Sequence, residues 1–186
     1  MTVGDAGDEG TPGTPGAPTE GAEAVVAPGE LPLTEAEAEH ALDAIPIGEP
    51  RVGIIMGSKS DWDTMQKAGD VLEAAGVGYE MRVMSAHREP VLVAEYCANA
   101  HLRGISVLIA GAGLSAALPG VAAAHTNLPV IGVPLSSSLS AAGGLDAILS
   151  VLQMPPGVPV AAVGLDNPKN AGHLALRILG SGAQDS

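Results

Sequence analysis

Residues 51–76, RVGIIMGSKSDWDTMQKAGDVLEAAG, decide the fold. VGIIMG is a short apolar run bounded by glycine, which reads as a buried strand. DWDTMQKAGDVLEAAG reads as an amphipathic helix, with Met65, Ala68, Val71, Leu72 and Ala75 at helical spacing and Gly76 as its stop. A buried strand feeding directly into a helix is the first half of a βαβ unit.

The alternation continues downstream. GYEMRVMS (78–85) reads as a second strand, and EPVLVAEYCANAHLRG (89–104) as a second helix with Pro90 in its first turn. SVLIAG (106–111) is a third strand, followed by a helix over 118–126. PVIGVPL (129–135), a helix near 144–152, PVAAVG (159–164) and NAGHLALRILG (170–180) complete the series. Strands alternating with helices predict an α/β domain over residues 51–180, a three-layer doubly wound parallel sheet covered on both faces. Ligands bind such sheets beyond the carboxyl ends of the strands. The residues just after each strand are therefore the candidates for chemistry.

Upstream the texture differs. The chain has 186 residues, 21 acidic against 8 basic, for a net charge of -13. Residues 1–50 carry 11 of the acids and no Lys or Arg, so the domain itself is nearly neutral. Residues 1–33, acidic and rich in Gly and Pro, are expected to be a disordered tail, since they bury too little to offset ordering entropy. Residues 34–50 predict a short acidic helix and linker, with Thr34 and Glu37 as a capping box. Residues 181–186 are expected to be a disordered C-terminus.

The near-neutral domain excludes general nucleic-acid binding, which needs basic surface. Its aromatic residues, Trp62, Tyr79 and Tyr96, are too few for a base-stacking platform. The single cysteine, Cys97, excludes an intrachain disulfide framework and a Cys-rich zinc site. Among the histidines, His40, His101, His125 and His173 show no metal-ligand spacing with a carboxylate, so no metal site is expected. Gly104–Ala124 runs 21 residues without a charge. Gly104, Gly111, Gly113, Pro119 and Gly120 divide it into strand, loop and helix, which argues against a membrane span. The N-terminus lacks the basic and apolar parts of a secretory signal, and a cytoplasmic protein is expected.

Three strand ends carry the candidate site. After the first strand, Gly57-Ser58-Lys59-Ser60-Asp61 leads into a helix, with glycine for close approach and free N–H groups for an anion. Ser58 can donate to a phosphate oxygen and Asp61 can accept from ribose hydroxyls. Ser60 or Asp61 serves equally well as a plain helix cap. After the second strand, Ser85-Ala86-His87-Arg88 brings a group that titrates near neutral pH beside a guanidinium fork. After the third, Gly111-Ala112-Gly113 leaves backbone N–H groups open to a flat ligand or an oxyanion, or simply makes a tight turn. Ser136, Ser137 and Ser138 form a polar wall after the fourth strand, as ligands or as loop residues.

Taken together, GSKSDWDTM, SAHREP, AGAGLSAALPG, PVIGVPL and LQMPPGVPVAAV resemble the class I phosphoribosylaminoimidazole carboxylase family of purine biosynthesis, of the N5-carboxyaminoimidazole ribonucleotide mutase type. The likeness covers about residues 51–180. It implies a flavodoxin-like subunit in a homo-octamer, with active sites formed between subunits. It implies transfer of a carboxylate from N5 to C4 of an aminoimidazole ribonucleotide, with no metal, ATP or organic cofactor. By motif, Ser58, Asp61 and Arg88 bind the ribonucleotide, Ser58 and Arg88 near its phosphate, and His87 transfers the proton. Ser85 and the Gly111, Ala112 and Gly113 backbone line the ring and carboxylate. Gly57, Ser60 and Ala86 complete the binding loops.

The third loop departs from the family's common GGAAHLPG at Leu114, Ser115 and Ala117. Two alternatives stay open on the sequence: direct carboxylation of the free ribonucleotide by CO2 without ATP, and a non-catalytic nucleotide-binding module. His87 separates the enzymes from the module.

Overall fold

The first strand, β1 (Val52–Met56), is buried along its whole length. A computed structural model describes residues 50–180, and the readings of 1–49 and 181–186 fall outside those residues. Around β1 stand β2 (Tyr79–Val83), β3 (Val107–Gly113), β4 (Val130–Leu135) and β5 (Ala161–Ala162). They form one parallel sheet in the order β2-β1-β3-β4-β5. The helices are α1 (Trp62–Ala74), α2 (Pro90–Ala98), α3 (Leu118–Ala124), α4 (Leu145–Leu152) and α5 (Pro168–Gly180).

Period-two alternation along the strands builds two cores. Val52, Ile54 and Met56 face α1 and α5, with Met65, Leu72, Val107, Ile109, Ile131 and Ala171 in the same cluster. Ile55, Leu108 and Ala110 face α2, α3 and α4, with Val93, Cys97, Leu118, Ala122 and Val151. The three expected layers are therefore present. The chain steps from β1 out to β2, then returns to the far side of β1 as β3. That reversal opens a crevice above the carboxyl ends of β1 and β3.

Several elements differ from the sequence reading. The third strand runs on through Gly113, so the glycines first read as a loop are paired strand residues opposite Val133 and Leu135. Small residues at this strand end let β3 and β4 continue side by side. The second helix stops at Ala98 and gives way to a 3-10 turn, Ala100–Arg103, ended by Gly104 at φ +85. The fifth strand shrinks to two exposed residues, as expected for an edge beside Pro159. The uncharged stretch 104–124 is divided between β3 and α3. Among the described residues no helix is long and apolar enough to cross a membrane.

A partly buried ionic cluster ties β2 to α2 at the amino end of the sheet. Glu80 accepts from the Tyr96 hydroxyl at 2.8 Å and from Arg103 Nε at 3.2 Å. The Arg103 guanidinium also lies 4.4 Å from the centre of the Tyr96 ring. Burial and then Glu80 push the Tyr96 hydroxyl well above its ordinary pKa, so it stays a donor. Gly53 leaves the room this hydroxyl needs, since a Cβ there would lie 2.7 Å from it.

Gly111 shows how tightly the sheet is covered. A Cβ at this position would run into the Met65 side chain, itself fully buried. Gly111→Ala is expected to lower stability by about 1–3 kcal/mol through overpacking, read as a fall in melting temperature.

Candidate functional site

The crevice holds a cleft of ≈ 370 Å³ lined by residues from four strand ends. After β1 the chain is extended at Ser58, whose Oγ accepts from the Ser60 N–H at 3.2 Å and from the Ser60 hydroxyl at 2.9 Å. This caps a short 3-10 turn, Lys59–Asp61, that leads into α1. Gly57 has nothing within 4 Å of where a Cβ would stand. Packing does not demand glycine there, and the residue lines the cleft.

After β2 the backbone closes on itself. The Ser85 carbonyl accepts from the N–H groups of Arg88 at 3.2 Å and Glu89 at 2.8 Å. The Ser85 N–H donates to Glu89 Oε2 at 3.1 Å. Pro90 then fixes the first turn of α2. The resulting turn holds Ala86, His87 and Arg88 out over the sheet, with His87 and Arg88 exposed. Arg88 reaches across and donates to the Gly57 carbonyl at 2.8 Å, joining the first two strand-end loops.

The third wall comes from β3 and the segment after it. Gly113 abuts β4, where a Cβ would lie 2.8 Å from the Leu135 carbonyl oxygen. Leu114 follows at φ +56, and the chain then bends into α3. The fourth wall is the serine loop. Its hydroxyls serve the loop itself: Ser140 Oγ accepts from the Ser137 N–H at 2.8 Å, and Ser137 Oγ from the Leu139 N–H at 3.2 Å. Asp166 anchors this wall, accepting from both the backbone N–H and the hydroxyl of Ser136.

Gly57, Ser58, Ser60, Asp61, Ser85, Ala86, His87, Arg88, Ala112 and Gly113 all line this one cleft. Gly111 is not among the lining residues; it is buried below them, its carbonyl accepting from the Gly57 N–H at 3.3 Å. The sequence reading missed Glu89, Asp166 and Leu139. Glu89 had a visible signal, an acid directly before a helix-starting proline. Asp166 opens an Asp-Asn-Pro turn, a legible loop signature that says nothing of its reach to Ser136. A larger cavity of ≈ 630 Å³ opens at the amino ends of the strands beside His101 and His125, away from all of these residues. Among the described residues no three His, Cys, Asp or Glu side chains are grouped so as to hold a metal ion.

Chemically, the cleft offers a guanidinium and serine hydroxyls at one side, an imidazole, and a side-chain-poor tip of β3. The free N–H groups expected after the first strand are not offered: those of Ser60 and Asp61 donate to the Ser58 Oγ and carbonyl, because the short 3-10 turn closes on itself. The groups that are offered suit a phosphorylated small molecule. The molecule is thus a doubly wound α/β protein with a strand-end cleft fitted for such a ligand. Residues 51–186 match the model of the AIR carboxylase family, and the chain belongs to that family. An N5-carboxyaminoimidazole ribonucleotide mutase of Pyrococcus abyssi is 58% identical over 135 residues, 73% of this chain and 76% of that protein. The enzyme of the same name from Thermotoga maritima is 56% identical over 131 residues, 70% of this chain and 75% of its own length. The crystal structure of Treponema denticola PurE superposes with a TM-score of 0.63 at 35% identity, covering 71% of this chain and 81% of that one.

Asp61 bears the electrostatic strain of the cleft. Burial raises its carboxyl above the usual range, while bonds from the Ser60 side chain and the Ser58 backbone pull it back down. The folded chain therefore holds this proton more tightly than the unfolded chain does, and ionisation at neutral pH works against folding. Asp61→Asn is expected to raise the melting temperature at neutral pH. The gain should shrink as the pH falls through the raised pKa, where the wild type takes up its proton. Paired melting curves from about pH 7 down to about pH 4 check this.

Proposed function

We propose that this cleft carries the mutase reaction with His87 as the group that moves the proton. The activity is that of an isomerase of purine biosynthesis: the carboxylate of N5-carboxyaminoimidazole ribonucleotide moves from N5 to C4. The observation that supports the assignment of roles is the Ser85–Glu89 turn. It puts an exposed imidazole and a guanidinium side by side in the same cleft as Ser58, with Arg88 tied to the Gly57 carbonyl. In this reading Arg88 and Ser58 grip the phosphate, and Asp61 accepts from the ribose hydroxyls. Ser85 and the Ala112–Gly113 backbone lie along the ring and carboxylate.

The chemistry needs one proton moved twice. N5 takes a proton from His87 as the N5–carboxylate bond breaks, giving CO2 and the free amine. The C4 carbon then attacks CO2, and the surplus C4 proton returns to His87. An imidazole suits both directions because its ordinary pKa is near neutrality. Holding CO2 beside C4 replaces a bimolecular encounter with positioning.

The working unit in this reading is a homo-octamer in the cytoplasm, with sites between subunits. Supporting assembly, α4 exposes Leu145, Leu149 and Leu152 on one helical stripe, 47%, 45% and 57% accessible in the isolated chain. Light scattering on the purified protein is expected to give the mass of eight chains, and a monomer would sink this part of the reading.

The activity test runs two substrates in parallel without ATP: the N5-carboxylated ribonucleotide at low bicarbonate, and the free aminoimidazole ribonucleotide at high bicarbonate. Turnover of the carbamate is expected, with His87→Asn slower by about 10²–10⁴-fold. Turnover of the free ribonucleotide alone would mean a direct carboxylase. Silence with both would leave a binding module.

A further inference from the structure

Leu114 sits at φ +56, in the left-handed region that a branched aliphatic side chain rarely adopts. Glycine would take this conformation freely. The turn is set by its neighbours: Gly113 lies against the Leu135 carbonyl, and the Leu114 carbonyl accepts from the Ala116 N–H at 2.8 Å. Core packing does not account for leucine here, because the side chain is 40% exposed. It lines the cleft instead, and so does Leu139, 78% exposed on the serine loop. Strain held at a cleft wall points to a role for the side chain that holds it.

The sheet order says which part of the ligand meets these leucines. Ser58 and Arg88 emerge from β1 and β2, on one side of the cleft. Leu114 and Leu139 follow β3 and β4, on the other. A ribonucleotide gripped by its phosphate at the first side spans the cleft, its ring between His87 and the tip of β3 and its carboxylate toward the second side. We propose that Leu114 is a specificity-determining residue which, with Leu139, walls the carboxylate end of the cleft against water and retains CO2 between its release from N5 and its capture by C4. The inference rests on the mutase reading above. The bond changes are those already given: N5–C breaks as N5 gains a proton, C4–C forms, and C4 gives its proton back. Leu114 takes no part in them. It decides whether the uncharged, apolar CO2 is captured or escapes to be hydrated.

The experiment measures partition. Purified wild type, Leu114→Gly and Leu114→Met are given the N5-carboxylated ribonucleotide, and C4-carboxylated product and free aminoimidazole ribonucleotide are counted after subtracting spontaneous decay. Leu114→Gly is expected to keep or raise the melting temperature, since its backbone strain is relieved. The share of turnovers ending in free ribonucleotide should rise by roughly fivefold. Leu114→Met, apolar and of similar reach, should stay within about twofold of wild type. A glycine variant with wild-type partition, or a methionine variant as leaky as glycine, overturns the proposal. A wild type that does not convert the carbamate overturns the mutase reading itself and this inference with it, a result distinct from an unchanged partition in an active enzyme.

Discussion

The parallel register of β1 between its two neighbours sets the site. Met56 stands opposite Val83 on one side and Gly111 on the other. The Met84 N–H then donates to the Met56 carbonyl at 2.8 Å, and the Gly57 N–H to the Gly111 carbonyl. The loops that carry Ser58 and His87 therefore leave the sheet at one level, beside the continuing end of β3. A slip of one residue would turn Ile54 and Met56 from one core to the other, so burial on both faces enforces the register. The position of every cleft residue inherits from this pairing.

Much of that frame was legible in the chain. Fully buried strands leave unbroken apolar runs, as in VGIIMG and PVIGVPL, and helices leave the spacing seen at Met65, Ala68 and Leu72. Strand ends followed by Ser58, His87 and Arg88 were enough to find one cleft, because parallel topology brings such ends together. What escaped depends on contacts distant in sequence. The glycines of β3 read as a loop, since nothing local says that Leu135 and Val133 will pair with them. Asp166 lies 30 residues from the Ser136 it anchors. The positive φ of Leu114 is invisible in a residue type that normally avoids it.

Stability is unevenly spread across this frame. The amino end of the sheet is held by Glu80, Tyr96 and Arg103, each satisfied by the others. The carboxyl end carries a partly desolvated carboxylate at Asp61 and left-handed backbone at Leu114 and Asp166. The domain is well satisfied at the amino end of the sheet and strained around the strand-end cleft proposed to hold the ligand. That division is expected when a site is shaped by what it binds rather than by its own packing.

Cys97 has a practical consequence. It is the only cysteine in the chain, fully buried on α2, and burial pushes its thiol up to about 11. A thiol so placed is almost wholly protonated and out of reach at neutral pH, and so nearly inert to electrophiles. The folded domain is thus a silent background for thiol chemistry. A cysteine introduced at an exposed position such as Ser138 would be the one reactive thiol of the chain. Probes of distance or motion could then be attached beside the cleft without first removing the native residue.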